Sequence, residues 1–445
     1  MQASLPREKR RGFFLKIYFR RNCSRDNNLF QQQYSQYFSN HLKTGMKKAV
    51  FTLICSLAFA AGVMAQDAPL DVSKRVADYL LSHHNHNVSK AQDGHTHIDS
   101  YYQEWRYVNG VLGVAMLNLA DAAGEKKYEQ FVKENFDFYF EPKIQRQLRK
   151  EYGSGVRDNA WHRFFSMSSL DDCGAMGAAL SELARRYKDQ RYENYLDKIS
   201  HYILTLQERI PETGIYCRGR VGERTLWLDD LYMCTSFLAH QGSRKGASSD
   251  LLQRAAEQVL LFDSLLFDND KHLYWHCFYY DTTHAHGTAH WGRANGWAFL
   301  AQALVLDRLP EEHPLRDRLL QLFRKRVENI IAYQDAQGMW HQLLDKPDSY
   351  PETSCTAMFV AAIAHGVNKG WLDSSFASVA LQGWKAVCSQ ITPEGQVKNV
   401  CMGTGISRDL PFYYNRPAPL NDAHGLGAVV QAGIEINNVT TKTTE

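Results

Sequence analysis

Two adjacent carboxylates, Asp229 and Asp230, sit in the string TLWLDDLYM among aromatic and apolar neighbours. A charge there is costly unless it is paired, protonated or used, so the pair is the first candidate for proton-transfer chemistry. Four further clusters hold reactive or recognition side chains: Asp171 and Asp172 in LDDCGAMGAAL; Trp291, Arg293, Asn295 and Trp297 in HWGRANGWA; Glu352 and Ser354 in PETSC; Asp422 and His424 in NDAHG. His276 in LYWHC, Arg218 and Arg220 in YCRGRVGERTLW, and Trp340 with His341 complete the set. A guanidinium suits a carboxylate and an indole offers a flat apolar face. The bland account of any one cluster is helix capping, in which Asp, Asn and Ser accept backbone N–H bonds. Capping does not call for Trp, His and Arg as well.

The elements that must position these residues show a long-period repeat. Small-residue, almost wholly apolar helical patterns are expected over Tyr107 to Ala120, Asp171 to Arg186, Asp229 to His240, Arg293 to Asp307, Thr353 to Gly366 and Asp422 to Ile436, starting roughly every 60 to 70 residues. Between them lie amphipathic patterns over Lys126 to Phe140, Arg191 to Gln207, Ser249 to Leu266, Arg316 to Tyr333 and Ser374 to Ser389, with Asp71 to His83 ahead of the first. A helix apolar all round must be buried and one with a polar face can meet water. Six of each describe two concentric rings, an all-α (α/α)6 barrel. The long connections, rich in Gly, Trp, His and Asp, all lead into inner helices. They gather the five clusters at one opening, where function is expected.

Composition agrees with one large globular unit. The chain has 445 residues, 44% of them hydrophobic and 22% charged, with a net charge of +3. No dense basic stripe points to nucleic acid. Aromatic residues make up 12%, which suits a sugar-stacking cleft as well as a packed core. Met46-Lys47-Lys48, the apolar run Ala49 to Val63 and the small residues before Gln66 read as a secretory signal peptide over 46–65, too short for a comfortable membrane span. Residues 1–45 then read as an extension upstream of the true start, and 66–445 as a single domain in the periplasm or outside the cell, with no membrane anchor after cleavage. Seven of nine cysteines fall in that domain, without zinc spacing or a disulfide framework. The His-dense stretches around His83 to His97 and His284 to His290 lack His/carboxylate helix spacing. There is no nucleotide-binding Gly pattern, so no metal or cofactor is expected.

TLWLDDLYM, LYWHCFYYDTT, HWGRANGWA, GMWHQLLDKPDSYPETSCTAMF and NDAHGLGA, in that order and spacing, resemble the unsaturated rhamnogalacturonyl hydrolases of glycoside hydrolase family 105, relatives of the family 88 unsaturated glucuronyl hydrolases. The resemblance covers the chain after the leader. It implies an (α/α)6 barrel and removal of the 4,5-unsaturated uronic acid that lyases leave on pectin-type fragments. It implies Asp229 as proton donor and Asp172 as second acid, with Asp171 competing for the latter role and Asp230 as cap or, with roles exchanged, the donor. A raised Asp229 pKa, from burial beside Trp227 and repulsion by a second carboxylate, is the expected device. His276, Trp291, Arg293, Asn295, Trp297, Arg220 and Trp340 are the implied substrate contacts or their supports. A lyase or epimerase on the same fold, an unsaturated glucuronyl hydrolase for ulvan, arabinogalactan or glycosaminoglycan fragments, and a non-catalytic glycan-binding barrel are the alternatives.

Overall fold

Side-chain size along the chain sorts the helices of the computed structural model into two rings. The structure describes residues 67–90, 92, 96–152 and 160–442; the leader over 46–65 and the segment upstream of it lie outside them. In chain order the ring helices are α1 (Pro69–Ser82), α2 (Tyr107–Ala123), α3 (Lys126–Phe140), α4 (Gly174–Arg186), α5 (Gln190–His201), α6 (Asp229–Gly242), α7 (Ser249–Leu266), α8 (Gly292–Arg308), α9 (Arg316–Ile330), α10 (Thr353–Asn368), α11 (Ala377–Ser389) and α12 (Ala423–Lys442). Even-numbered helices pack in the cyclic order α2, α4, α6, α8, α10, α12 and back to α2. Each odd-numbered helix packs outside one of them, α1 against α12. The protein is therefore an (α/α)6 barrel.

The inner helices are rich in Gly, Ala and Ser because neighbouring backbones nearly touch. A Cβ on Gly110 of α2 would lie 2.3 Å from the Ala175 carbonyl carbon of α4, and one on Gly174 would lie 1.8 Å from the Met233 carbonyl oxygen of α6. Outer helices show the complementary pattern. In α9 only Leu319, Phe323, Val327 and Ile330 are buried, a one-sided stripe.

All six inner helices run the same way, with their N-termini at the end reached by the long connections. Their dipoles put partial positive charge there. Within those connections Thr225–Trp227 pairs antiparallel with Cys277–Tyr279, placing Trp227 opposite Cys277. Short helices Pro142–Tyr152, Ala160–Phe165 and Leu410–Tyr414 also lie in them. The far end differs in kind. A cavity of about 290 Å³, walled by Val111, Ala115, Leu304, Ala361 and Gly427, is rimmed there by His240, Asp307, Arg308, His365 and Glu435. Polar contacts cross that rim: Glu182 with the His240 ring at 2.8 Å, and an ion pair of His365 with Glu435 at 3.0 Å. Neither Asp229 nor His276 lines this cavity.

Expected and observed helix limits differ where loop chemistry intervenes. The second inner helix, expected from Asp171, starts at Gly174, because Leu170–Asp172 forms a 3-10 turn held by a Ser169/Asp172 capping box. The outer helix expected to reach Gln207 ends at His201 and continues as a π-turn over Tyr202–Leu206. No helix among the described residues is long and apolar enough to cross a membrane.

Candidate active site

Asp229 is the first residue of α6 and lies one residue, Leu228, beyond the short strand, so its position is set by the Thr225–Trp227/Cys277–Tyr279 ribbon. The Leu228 N–H donates to the His276 carbonyl at 2.9 Å, and the His276 N–H donates to Ala289 O at 2.9 Å. Fixed on both sides, His276 brings Nε2 to 3.1 Å from Asp229 Oδ2. Its Nδ1 lies 2.8 Å from the Tyr413 hydroxyl. The ring is fully buried among Trp227, Trp291 and Tyr413. Asp229 Oδ1 has no hydrogen bond from any described residue, and the side chain stays 14% exposed.

Asp230 is in a different situation although it is the next residue. Its side chain is 1% exposed, and both oxygens receive Arg218, Oδ2 from Nε at 2.8 Å and Oδ1 from Nη2 at 2.7 Å. Arg218 also pairs with Asp171 at 3.0 Å and lies 4.0 Å from the Trp227 ring centre. Burial pushes the Asp230 carboxyl up to about 6 against the pull of Arg218. Burial acts on Asp229 in the same direction. There the His276 hydrogen bond, with the charges of Arg218 and Arg293, outweighs it and holds the carboxyl below its ordinary value. The expected elevation at Asp229 is thus found at Asp230, because the imidazole binds Asp229 alone.

The two candidates for second acid separate cleanly. Asp172 Oδ2 accepts Ser168 N–H at 2.8 Å and Ser169 N–H at 3.0 Å, so this carboxylate holds its own turn. Asp171 is the one that faces Arg218, and through it the Asp229/Asp230 pair.

The GRANGW residues form a scaffold beneath the pair. Arg293 is 1% exposed and donates to the Cys401 and Met402 carbonyls, 4.6 Å over the Trp291 ring. A guanidinium so engaged braces the 401–402 backbone and is closed to a sugar carboxylate. Asn295 accepts Tyr274 N–H and donates to Tyr274 O, both at 2.9 Å, which pins the segment carrying His276. Trp291 donates to Gln342 at 3.2 Å. Trp297 packs on Tyr232 and Tyr107. Trp340 lies in the core, donating to Ile330 O, and Arg220 points outward to Glu223. Buried Glu352 caps α10 at Cys355 N, and Ser354 donates to it. His424 pairs with Asp422 near Tyr107. Among the described residues no group of three or more His, Cys, Asp or Glu is disposed to hold a metal ion.

Tyr413 is the contact that the sequence does not disclose. It sits in the run Phe412-Tyr413-Tyr414, and nothing in that run says which ring reaches His276. The Pro411 start and aromatic density are the only signal of a short helix there, of which Tyr413 alone is buried.

Comparison with known proteins agrees with this architecture. The family described as Glycosyl Hydrolase Family 88 matches residues 72–440. An unsaturated 3S-rhamnoglycuronyl hydrolase of Alteromonas sp. (strain LOR) is 30% identical over 253 residues, 55% of this chain and 59% of the relative. An unsaturated rhamnogalacturonyl hydrolase of Bacillus subtilis (strain 168) is 28% identical over 247 residues, 55% of this chain and 70% of the relative. The match thus spans under two thirds of the Alteromonas protein. A solved structure of a possible member of the GH105 family from Salmonella enterica superposes with a TM-score of 0.69 at 23% identity, covering 84% of this chain and 94% of that one.

Proposed function

The chain belongs to glycosyl hydrolase family 88, and from that premise we propose that it removes the 4,5-unsaturated uronic acid from the non-reducing end of lyase-generated, pectin-type oligosaccharides. The unsaturated ring is an enol ether. Protonation at C4 gives an oxocarbenium-like cation at C5, water adds there, and the hemiketal opens to release the aglycone. The anomeric carbon is not attacked, so two carboxylates at a fixed glycosidase separation are unnecessary.

One observation carries the assignment of the acid. Of the two adjacent carboxyls, Asp229 keeps an oxygen without a hydrogen-bond partner among the described residues on a partly exposed side chain, while Asp230 has both oxygens on Arg218. Asp229 gives the proton to C4 and, as carboxylate, takes one from the incoming water. A bound uronate places a negative charge beside it and excludes water, and both raise its pKa from the low value of the free site. Asp171 and Asp230 hold Arg218 in place and shape the local field. The positive ends of the inner helices favour an anionic sugar.

The Alteromonas relative, an unsaturated 3S-rhamnoglycuronyl hydrolase, favours a second reading within the class, in which the aglycone is a 3-sulfated rhamnose. A panel of lyase-generated disaccharides, sulfated and not, followed by loss of the enol-ether ultraviolet absorbance, separates the two. Asp229→Asn is expected to lower kcat by about a hundredfold or more on the preferred member. A loss of only a few-fold overturns the assignment, and binding with no turnover on any member favours a non-catalytic glycan-binding barrel. Export to the periplasm or exterior is part of the proposal, supported by the leader pattern at 46–65; the N-terminal sequence of fractionated protein tests it.

A further inference from the structure

We propose that Tyr413 is a positioning residue that fixes the tautomer of His276 and thereby decides which oxygen of Asp229 carries the acid proton; this rests on the role assigned to Asp229 above. The Tyr413 hydroxyl accepts the Ser407 N–H at 3.2 Å. With the backbone N–H on one lone pair, the hydroxyl proton is left to point to His276 Nδ1, 2.8 Å away. An Nδ1 that accepts leaves the ring proton of a neutral imidazole on Nε2. Nε2 then donates to Asp229 Oδ2 at 3.1 Å. Oδ2 is thus committed as an acceptor in both protonation states of the carboxyl.

The consequence concerns the other oxygen. When Asp229 takes up a proton it must do so on Oδ1, the oxygen without a described partner, from which transfer to C4 leads outward. The opposite tautomer, with Nδ1–H and a bare Nε2, would let the acid proton rest on Oδ2 as a hydrogen bond to His276, turned away from the substrate. The energy separating the two arrangements is that of one buried hydrogen bond, enough to shift such a balance by a factor of several.

The surroundings give Tyr413 a fixed location. It is fully buried on the short helix Leu410–Tyr414, and its carbonyl accepts Gln342 Nε2 at 3.4 Å. Gln342 in turn accepts Trp291 Nε1, and the Thr288 hydroxyl donates to Ser407 O at 3.4 Å. The hydroxyl that faces His276 is therefore tied both to the loop of His276 and to the start of α8. Tyr413→Phe removes one oxygen and leaves ring and volume in place.

The test combines kinetics with two-bond 1H–15N spectra of protein labelled at histidine, the His276 signals being assigned by their absence in His276→Gln. In its neutral form, wild-type His276 is expected to show a protonated Nε2 and a bare Nδ1. Tyr413→Phe is expected to give a substantial Nδ1–H share and to lower kcat by about three- to tenfold, with KM changed less than about twofold. A wild-type spectrum with Nδ1 protonated overturns the proposal whatever the variant does. So does Tyr413→Phe with unchanged tautomer or unchanged kcat. If the wild type turns over no unsaturated disaccharide, the reading of the reaction fails, while the wild-type spectrum still decides the hydrogen-bond order.

Discussion

Removing Arg218 should cost stability in a way that grows with pH, and the size of the effect follows from Asp230. In the folded protein burial raises that carboxyl to about 6, against 3.8 for a free group, even with Arg218 bound to both oxygens. Between those two values the folded state holds more protons than the unfolded one, so the contribution of Asp230 falls as pH rises through that window. At 1.4 kcal/mol per unit the burden levels off at about 3 kcal/mol above pH 6. In Arg218→Gln, burial and the charges of Asp171 and Asp229 act unopposed and the carboxyl stays protonated well past neutrality. The levelling then disappears. Near pH 5 both proteins have Asp230 protonated and the substitution costs only the Asp171 pair and the contact with Trp227, about 1–2 kcal/mol. From pH 6 to pH 8 the cost should grow by about 1.4 kcal/mol per unit. Urea unfolding of both proteins at pH 5, 6, 7 and 8 measures the difference directly. A cost independent of pH, or one that shrinks above pH 6, would refute the view that Asp230 is a buried acid held ionised by this arginine.

Two further outcomes concern the barrel itself. Gly174→Ala drives a methyl group into the Met233 carbonyl and should destabilise the protein by about 3 kcal/mol or more, read as a lower urea midpoint, with activity falling as α4 and α6 separate next to Asp229. At the far end burial opposes charge on His365, but Asp307 and Glu435 outweigh it and raise the imidazole to about 9. Its folded pKa lies above the ordinary value of 6.5, so the gain of about 3 kcal/mol is complete below pH 6.5 and lost as pH rises through 9. The stability gap between wild type and His365→Asn should therefore narrow from pH 6 to pH 10, by the same urea titration.

What could be read from the sequence was whatever rests on periodicity. A stretch such as Thr353 to Gly366, apolar and small on every side, has to be interior. Its repetition at regular intervals gave the rings and the end where the loops gather. That His276 belongs to the site was implied by the family resemblance, not by that register. The direction of individual side chains did not, because period 3.6 says nothing about a loop residue. Arg293 has the composition of a carboxylate partner but turns its two Nη groups to the Cys401 and Met402 carbonyls, a segment more than a hundred positions away. Trp340 and Arg220 carry the right chemistry in the core and on the outer surface respectively. Asp171 and Asp172 differ only in which one the 3-10 turn uses as its cap, a distinction of one residue that spacing cannot resolve.

The seam that closes the ring has a consequence for how the protein comes into being. The Ser73 hydroxyl of α1 donates to the Val430 carbonyl of α12 at 2.9 Å, and α12 completes the inner ring between α10 and α2. A chain folded only as far as α10 has Asp229 and His276 but lacks Tyr413, and the apolar flanks of α2 and α10 still face solvent. Helical pairs can form early, yet the finished cleft waits for α12 to dock. Until then the open ring is the form most exposed to chaperones and proteases.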